Sequence, residues 1–132
     1  MKHLRIMVAD DHEVVRHGLH ALLGAQAGWD VVGDAVDGRE AVEKAVQLKP
    51  DVVILDINMP GINGLDATPL ILEAAPQSEV LIFTMHQPEE MEQTARKAGA
   101  RGYVLKAAAG RDLLAAVRAL SEHSTFFHSA GD

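Results

Sequence analysis

The sequence predicts an α/β domain built on a parallel β-sheet, and three observations carry that reading. Short apolar runs alternate with longer segments of helical periodicity along the whole chain. The central run, Val52-Val53-Ile54-Leu55, lacks polar alternation, as expected of a strand covered on both faces. Four of the five runs end on a polar group with chemistry of its own: Asp10-Asp11, Asp56, Thr84 and Lys106.

Taken in order, residues 4–9 form a first apolar strand. Residues 12–26 then read as a helix with Val14, Val15, Leu19, Leu22 and Leu23 on one stripe, stopped by Gly24 and Gly28. The second strand, 29–36, is less apolar and carries Asp34, so an edge position is expected. Asp37-Gly38 turns the chain into a helix over 39–49, with Ala41, Val42, Ala45 and Leu48 inward and Pro50 beyond its end. The third strand is 51–56, followed by the turn chemistry of Pro60-Gly61 and Asn63-Gly64. A helix follows over 64–75, but Pro69 within it removes a donor and predicts a late start, a kink or an irregular first turn. Residues 79–83 make a fourth strand ending on Thr84. The helix over 88–99 has only Met91, Ala95 and Ala98 as its inward side, which predicts loose packing. A fifth strand, 102–105, ends on Lys106, and the last helix spans 111–122 on a stripe of Leu113, Leu114, Val117 and Leu120. Right-handed crossovers then lead to a flavodoxin-like, doubly wound (βα)5 sandwich with strand order 2-1-3-4-5.

Composition narrows the function classes. A chain of 132 residues with 48% hydrophobic and 23% charged residues is one domain with a proper core. It has no cysteine, which excludes disulfides, thiolate metal sites and Cys nucleophiles. A net charge of −7, without a basic cluster, argues against direct binding of nucleic acid. Met1-Lys2-His3-Leu4-Arg5 lacks a signal-peptide apolar region and no run reaches membrane-spanning length, so a cytoplasmic protein is expected.

In a parallel sheet the carboxyl ends of the strands share one edge, where ligands of open α/β sheets bind. Any one polar residue there could merely cap the next helix. Together, three carboxylates, a hydroxyl and an ammonium converge. Crowded carboxylates repel one another unless a cation is present, and oxygen-only ligands suit Mg²⁺. His17 and His20 share a helix face, but a zinc site is not expected from them. With Mg²⁺ bound, Asp56 is the candidate nucleophile toward a phosphoryl group, and Asp10-Asp11 are the metal-holding pair. Lys106 would neutralise the incoming charge and Thr84 donate a hydrogen bond to it. No Gly-rich phosphate loop is present.

Asp10-Asp11, the Asp56-Ile-Asn-Met-Pro-Gly61 box, Thr84 and Lys106 resemble the receiver domain of bacterial two-component response regulators. Val8-Ala-Asp-Asp-His-Glu13, Thr84-Met-His86 and Gly102-Tyr-Val-Leu-Lys106 resemble its NarL/FixJ (LuxR-type) subfamily. The resemblance implies phosphorylation of Asp56 by a sensor histidine kinase. It also implies Mg²⁺ ligation by Asp11, Asp56 and the Asn58 carbonyl, with Asp10 acting through water. Thr84 and Tyr103 would be a switch pair that biases the surface of the fourth helix, fifth strand and fifth helix, controlling a receiver–receiver homodimer or an output domain. Such a chain is a phosphoacceptor regulatory domain, with self-catalysed phosphotransfer and dephosphorylation only. Asn58 and His86, each two residues beyond a motif position, are expected to influence hydrolysis.

Residues 1–122 are thus expected to be the receiver domain. Residues 123–132 would be a tail or the start of a linker to an absent output domain, through which alone DNA would be bound; Phe126-Phe127 favour a continuation. Ala107 stands where many receivers have proline, which leaves the 106–107 peptide geometry open. Two alternatives remain. A haloacid-dehalogenase-type phosphohydrolase would need a general acid where Asn58 stands, and a degenerate receiver would dimerise without phosphorylation.

Overall fold

Five strands and their intervening helices wind alternately onto the two faces of one sheet. A computed structural model describes residues 3–128; Met1, Lys2 and residues 129–132, the end of the expected tail, lie outside the described residues. The strands are β1 (Leu4–Ala9), β2 (Trp29–Ala35), β3 (Val52–Leu55), β4 (Glu79–Thr84) and β5 (Gly102–Leu105). All neighbours pair in parallel, in the order β2-β1-β3-β4-β5. The expected fold class and strand order are those observed.

Alternation along the strands divides the core in two. Met7, Val53, Leu55, Val80 and Ile82 face α2 (Gly38–Leu48), α3 (Gly64–Ala74) and α4 (Pro88–Ala98). Ile6, Ile54, Leu81, Phe83 and Val104 face α1 (Glu13–Gly24) and α5 (Ala109–Ser121). β3 and β4 are buried along their whole length, whereas β2 lies at an edge and is only partly buried.

Local differences have local causes. Val14 is 83% exposed, not part of the α1 stripe; at 3.6 residues per turn it lies half a turn round the helix from the buried Leu23. The last helix begins earlier than expected because a 3-10 turn, Lys106–Ala108, leads directly into it. The described residues contain no cis peptide, so Lys106–Ala107 is trans. Pro69 neither delays α3 nor disorders its first turn. The Asn63 side chain caps the Asp66 N–H at 2.9 Å, and the Thr68 hydroxyl donates to the Gly64 carbonyl at 2.7 Å, so the helix runs unbroken from Gly64. The missing donor concerns one carbonyl, that of Leu65.

Candidate phosphoacceptor site

The aspartates, Thr84 and Lys106 sit at or just beyond the carboxyl ends of strands because the sheet ladder carries them there, whereas Tyr103 lies within β5. The Asp10 N–H donates to the Ala35 carbonyl and the Asp56 N–H to the Ala9 carbonyl, both at 3.0 Å. The two aspartates thereby continue the pairing of β1 and β3 by one residue. Glycine fixes the loop below them: a Cβ on Gly64 would lie 2.0 Å from the Asp56 carbonyl oxygen. Only a residue without a side chain lets α3 start this close to the end of β3.

Asp10 and Asp56 are buried, at 1% and 4% exposure. Lys106 joins them: its Nζ lies 2.6 Å from Asp10 Oδ2 and donates to Asp56 Oδ2 at 3.1 Å. Asp56 Oδ1 accepts the Ile57 N–H at 2.8 Å. Burial raises the Asp56 carboxyl above the ordinary carboxylate range and the nearby Asp10 adds to this, while the Lys106 charge and hydrogen bond pull it partly back. For Lys106, burial acts to lower the ammonium, but its contacts with Asp10 and Asp56 outweigh burial and hold it above its usual value.

The acidic residues form one cluster. Ligand atoms of Asp10, Asp11, His12 and Asp56 all lie within 4.8 Å of one another. Asp10 Oδ2 and Asp56 Oδ2 share the single ammonium of Lys106. Two buried carboxylates on one cation, with Asp11 beside them as a further hard oxygen donor, fit a small divalent cation such as Mg²⁺.

His12 was not singled out by sequence reasoning. Its Nδ1 lies 2.9 Å from Asp10 Oδ1 and 3.1 Å from Asp11 Oδ1, and its N–H donates to Asp10 Oδ1 at 2.8 Å. Arg16, also missed, donates to the Asp10 carbonyl at 2.7 Å and faces Asp34 at 3.4 Å. The available signal was spacing: His12 and Arg16 stand one helical turn apart beside the Asp10-Asp11 pair. His20, weighed above with His17, instead contacts Asp34 at 2.5 Å.

Thr84 is fully buried, and its Oγ1 accepts the His86 N–H at 3.3 Å. The Tyr103 ring is turned inward and fully buried, and its hydroxyl donates to the His86 carbonyl at 2.8 Å. Burial, then the negative charges of Glu92, Glu90 and Glu89, push the Tyr103 phenol well above its usual range, so it stays a donor. At the rim, the exposed Asn58 side-chain amide meets His86 Nε2 at 3.0 Å. Asp10, Asp56 and Lys106 are therefore in direct contact, with Asp11 within 4.8 Å of the aspartates, and Thr84, Tyr103 and Asn58 form a second group joined through His86.

The model of the response regulator receiver domain matches residues 6–118. This chain belongs to the response regulator receiver family. Over 124 residues the receiver is 44% identical to the Oxygen regulatory protein NreC of Staphylococcus haemolyticus (strain JCSC1435). That match covers 93% of this chain but only 57% of NreC, so the receiver spans little more than half the length of that relative. Among solved structures, a LuxR-family two-component response regulator from Aurantimonas sp. SI85-9A1 superposes with a TM-score of 0.90 at 36% identity, covering 96% of this chain and 90% of that one. The isolated REC domain of RcsB from Salmonella enterica serovar Typhimurium, determined with the phosphomimetic BeF3−, gives 0.86 at 26% identity, covering 95% and 93%. Among the described residues no helix is long and apolar enough to cross a membrane.

Proposed function

We propose that this receiver is a two-component signalling switch in which Asp56 accepts a phosphoryl group from the phosphohistidine of a sensor histidine kinase. The observation that carries the reading is the buried Asp56 carboxylate, held with Asp10 by one lysine at the end of the central strand. An Asp56 carboxylate oxygen forms the new O–P bond as the P–N bond breaks, and the departing imidazole keeps that electron pair. With its other ring nitrogen protonated, the imidazole departs as a neutral histidine, and the product on this chain is an acyl phosphate at Asp56. Lys106 offsets the added charge, and the Thr84 hydroxyl, on turning from the His86 N–H, donates to the new phosphoryl oxygens.

Asp10, Asp11 and Asp56, with the backbone carbonyl of Asn58, are the residues that would hold Mg²⁺. When bound, the ion neutralises the carboxylates and the phosphoryl oxygens. Asn58 and His86 at the rim would set water access to the acyl phosphate, and thus its lifetime. Thr84 and Tyr103 would pass the modification to the α4–β5–α5 face, which governs pairing with a second receiver or an output domain.

Residues 1–122 would be the receiver unit, and the later residues would lead toward an output domain that binds DNA in transcription control. The work would take place in the cytoplasm. The coverage of NreC and the LuxR-family likeness support that extension, and the BeF3−-bound RcsB domain supports the phosphoryl chemistry.

Intact mass after incubation with acetyl phosphate and Mg²⁺ tests the central claim. The expected result is one added phosphoryl group, dependent on Mg²⁺ and lost in Asp56→Asn. An adduct that persists in the variant, or none in the wild type, would overturn it and leave a constitutive interaction module as the better reading.

A further inference from the structure

The chain does not leave the domain after α5. The N–H groups of His123 and Ser124 close the helix on the Leu120 and Ala119 carbonyls, and the backbone turns at His123 with φ 60°. It then runs parallel to β5. The Phe126 N–H donates to the Arg101 carbonyl and the Tyr103 N–H to the Phe126 carbonyl, both at 2.9 Å. β5 is otherwise an edge strand with backbone groups to satisfy, and an added extended segment satisfies them. Side chains alternate as in a strand: Phe126 packs toward the α5 side, and Phe127 toward the α4 side beneath the Arg96 guanidinium, 3.9 Å above its ring.

Glu92 is the unexpected part. It lies on α4, whose inward face was expected to hold only Met91, Ala95 and Ala98, yet it is 1% exposed. A carboxylate buried this deeply costs several kcal/mol unless it is hydrogen-bonded. Its Oε2 accepts the His128 N–H at 2.7 Å and meets His128 Nδ1 at 3.0 Å. The His128 ring in turn stands edge-on to Tyr103 and to Phe126, with centroids 6.2 Å away in each case. An apolar residue would fill the same space on α4 without the cost of burial. What the carboxylate adds is a grip on the backbone and ring of His128.

We propose that the groove between α4 and β5 is a binding site for an extended segment, filled here by this chain's own residues 125–128 and gripped by Glu92, so that docking of the segment and the position of Tyr103 are linked. The route is contiguous: Thr84 to His86, His86 to Tyr103, Tyr103 to His128, His128 to Glu92. The docked His128 ring occupies the space beside Tyr103, so an outward swing of the phenol displaces it. Docking therefore favours the inward ring, and whatever draws Thr84 and Tyr103 inward tightens docking; by linkage the two effects are equal. The connection to Asp56 rests on the phosphoacceptor reading, whereas the docking does not.

Amide hydrogen exchange on the full chain reads this at the N–H groups of Tyr103, Phe126 and His128. In the wild type all three are expected to be protected. Glu92→Met and His128→Ala should each speed exchange at Phe126 and at position 128 by about 5-fold or more, and Tyr103→Leu should do the same from the other side. The β3 amides serve as the internal control. Acetyl phosphate with Mg²⁺ should slow exchange at the three positions several-fold. Unprotected Phe126 and His128 amides in the wild type would overturn docking. Exchange unchanged in His128→Ala would overturn the grip, whether or not Glu92→Met folds. Exchange unchanged in a chain that carries the phosphoryl group by mass, or in Tyr103→Leu, would overturn the linkage. If no phosphoryl group is taken up, the phosphoacceptor reading fails alone, and the Glu92, His128 and Tyr103 variants still decide the rest.

Discussion

Replacing Lys106 by methionine isolates what the ammonium does for two buried carboxylates. Its Nζ lies 2.6 Å from Asp10 Oδ2 and 3.1 Å from Asp56 Oδ2, with 14% of the side chain exposed. At an effective dielectric of about 20, each contact is worth about 5–6 kcal/mol of gross attraction. The ammonium's own desolvation and the mutual repulsion of the aspartates consume much of that. The net loss expected for Lys106→Met without metal is about 3 kcal/mol, the usual cost of stranding a buried charge. For a urea slope of about 2 kcal/mol/M this moves the midpoint down by about 1.5 M. The pH dependence has a definite sign. Lys106 is what pulls the raised Asp56 carboxyl back down, so in the variant it rises further. An acid with a raised folded-state pKa binds its proton more readily when folded. The penalty is therefore full above the folded pKa and shrinks as pH falls through it. The deficit relative to wild type should be larger at about pH 8 than at about pH 5, and Mg²⁺ should recover most of it at the higher pH. Urea melts of both proteins at the two pH values, with and without Mg²⁺, decide the matter. A deficit independent of pH and Mg²⁺ would mean that Lys106 contributes only packing, and the electrostatic account would be wrong.

Four further substitutions test the frame of the site. Gly64→Ala places a Cβ 2.0 Å from the Asp56 carbonyl oxygen, so it should cost about 2 kcal/mol in thermal melts and slow acetyl-phosphate labelling of Asp56. Gly18→Ala, within α1 with nothing inside 4 Å of the new Cβ, should instead stabilise by about 0.5–1 kcal/mol; equal behaviour of the two alanines would refute the steric argument. Asp37→Ala removes the acceptor for the Glu40 N–H at the start of α2 and should cost about 1 kcal/mol by chemical denaturation, without changing the labelling rate. His86→Ala opens the rim that His86 closes with Asn58 and should speed loss of the phosphoryl group several-fold in a mass-based decay, where an unchanged rate would remove His86 from that role.

The backbone of this domain was legible because hydrophobic periodicity is a local signal. Val52–Leu55 reads as a doubly covered strand and is one, and the edge position of β2 follows from its polar interruptions. Val14 misleads because it sits beside Val15 in sequence while facing water in the helix. Pro69 does not delay the start of α3, because its first turn is set upstream by the Asn63 cap.

The site divides in the same way. Asp10, Asp11, Asp56 and Lys106 could be brought together on paper because each ends a strand of one parallel sheet, and topology alone makes those ends neighbours. His12 and Arg16 act on Asp10 through side-chain directions set at the first turn of α1, which strand ends do not specify. Glu92 and His128 lie further beyond local reading, because 36 residues separate them and their contact exists only once α5 has returned the chain to β5. In a helix as charged as α4, nothing in the sequence distinguishes Glu92 from the exposed Glu89 and Glu90. The distinction is made by a partner elsewhere in the chain. The groups that hold Asp56 follow from where strands end, and the groups that join its surroundings to the rest of the molecule follow from where the chain goes afterwards.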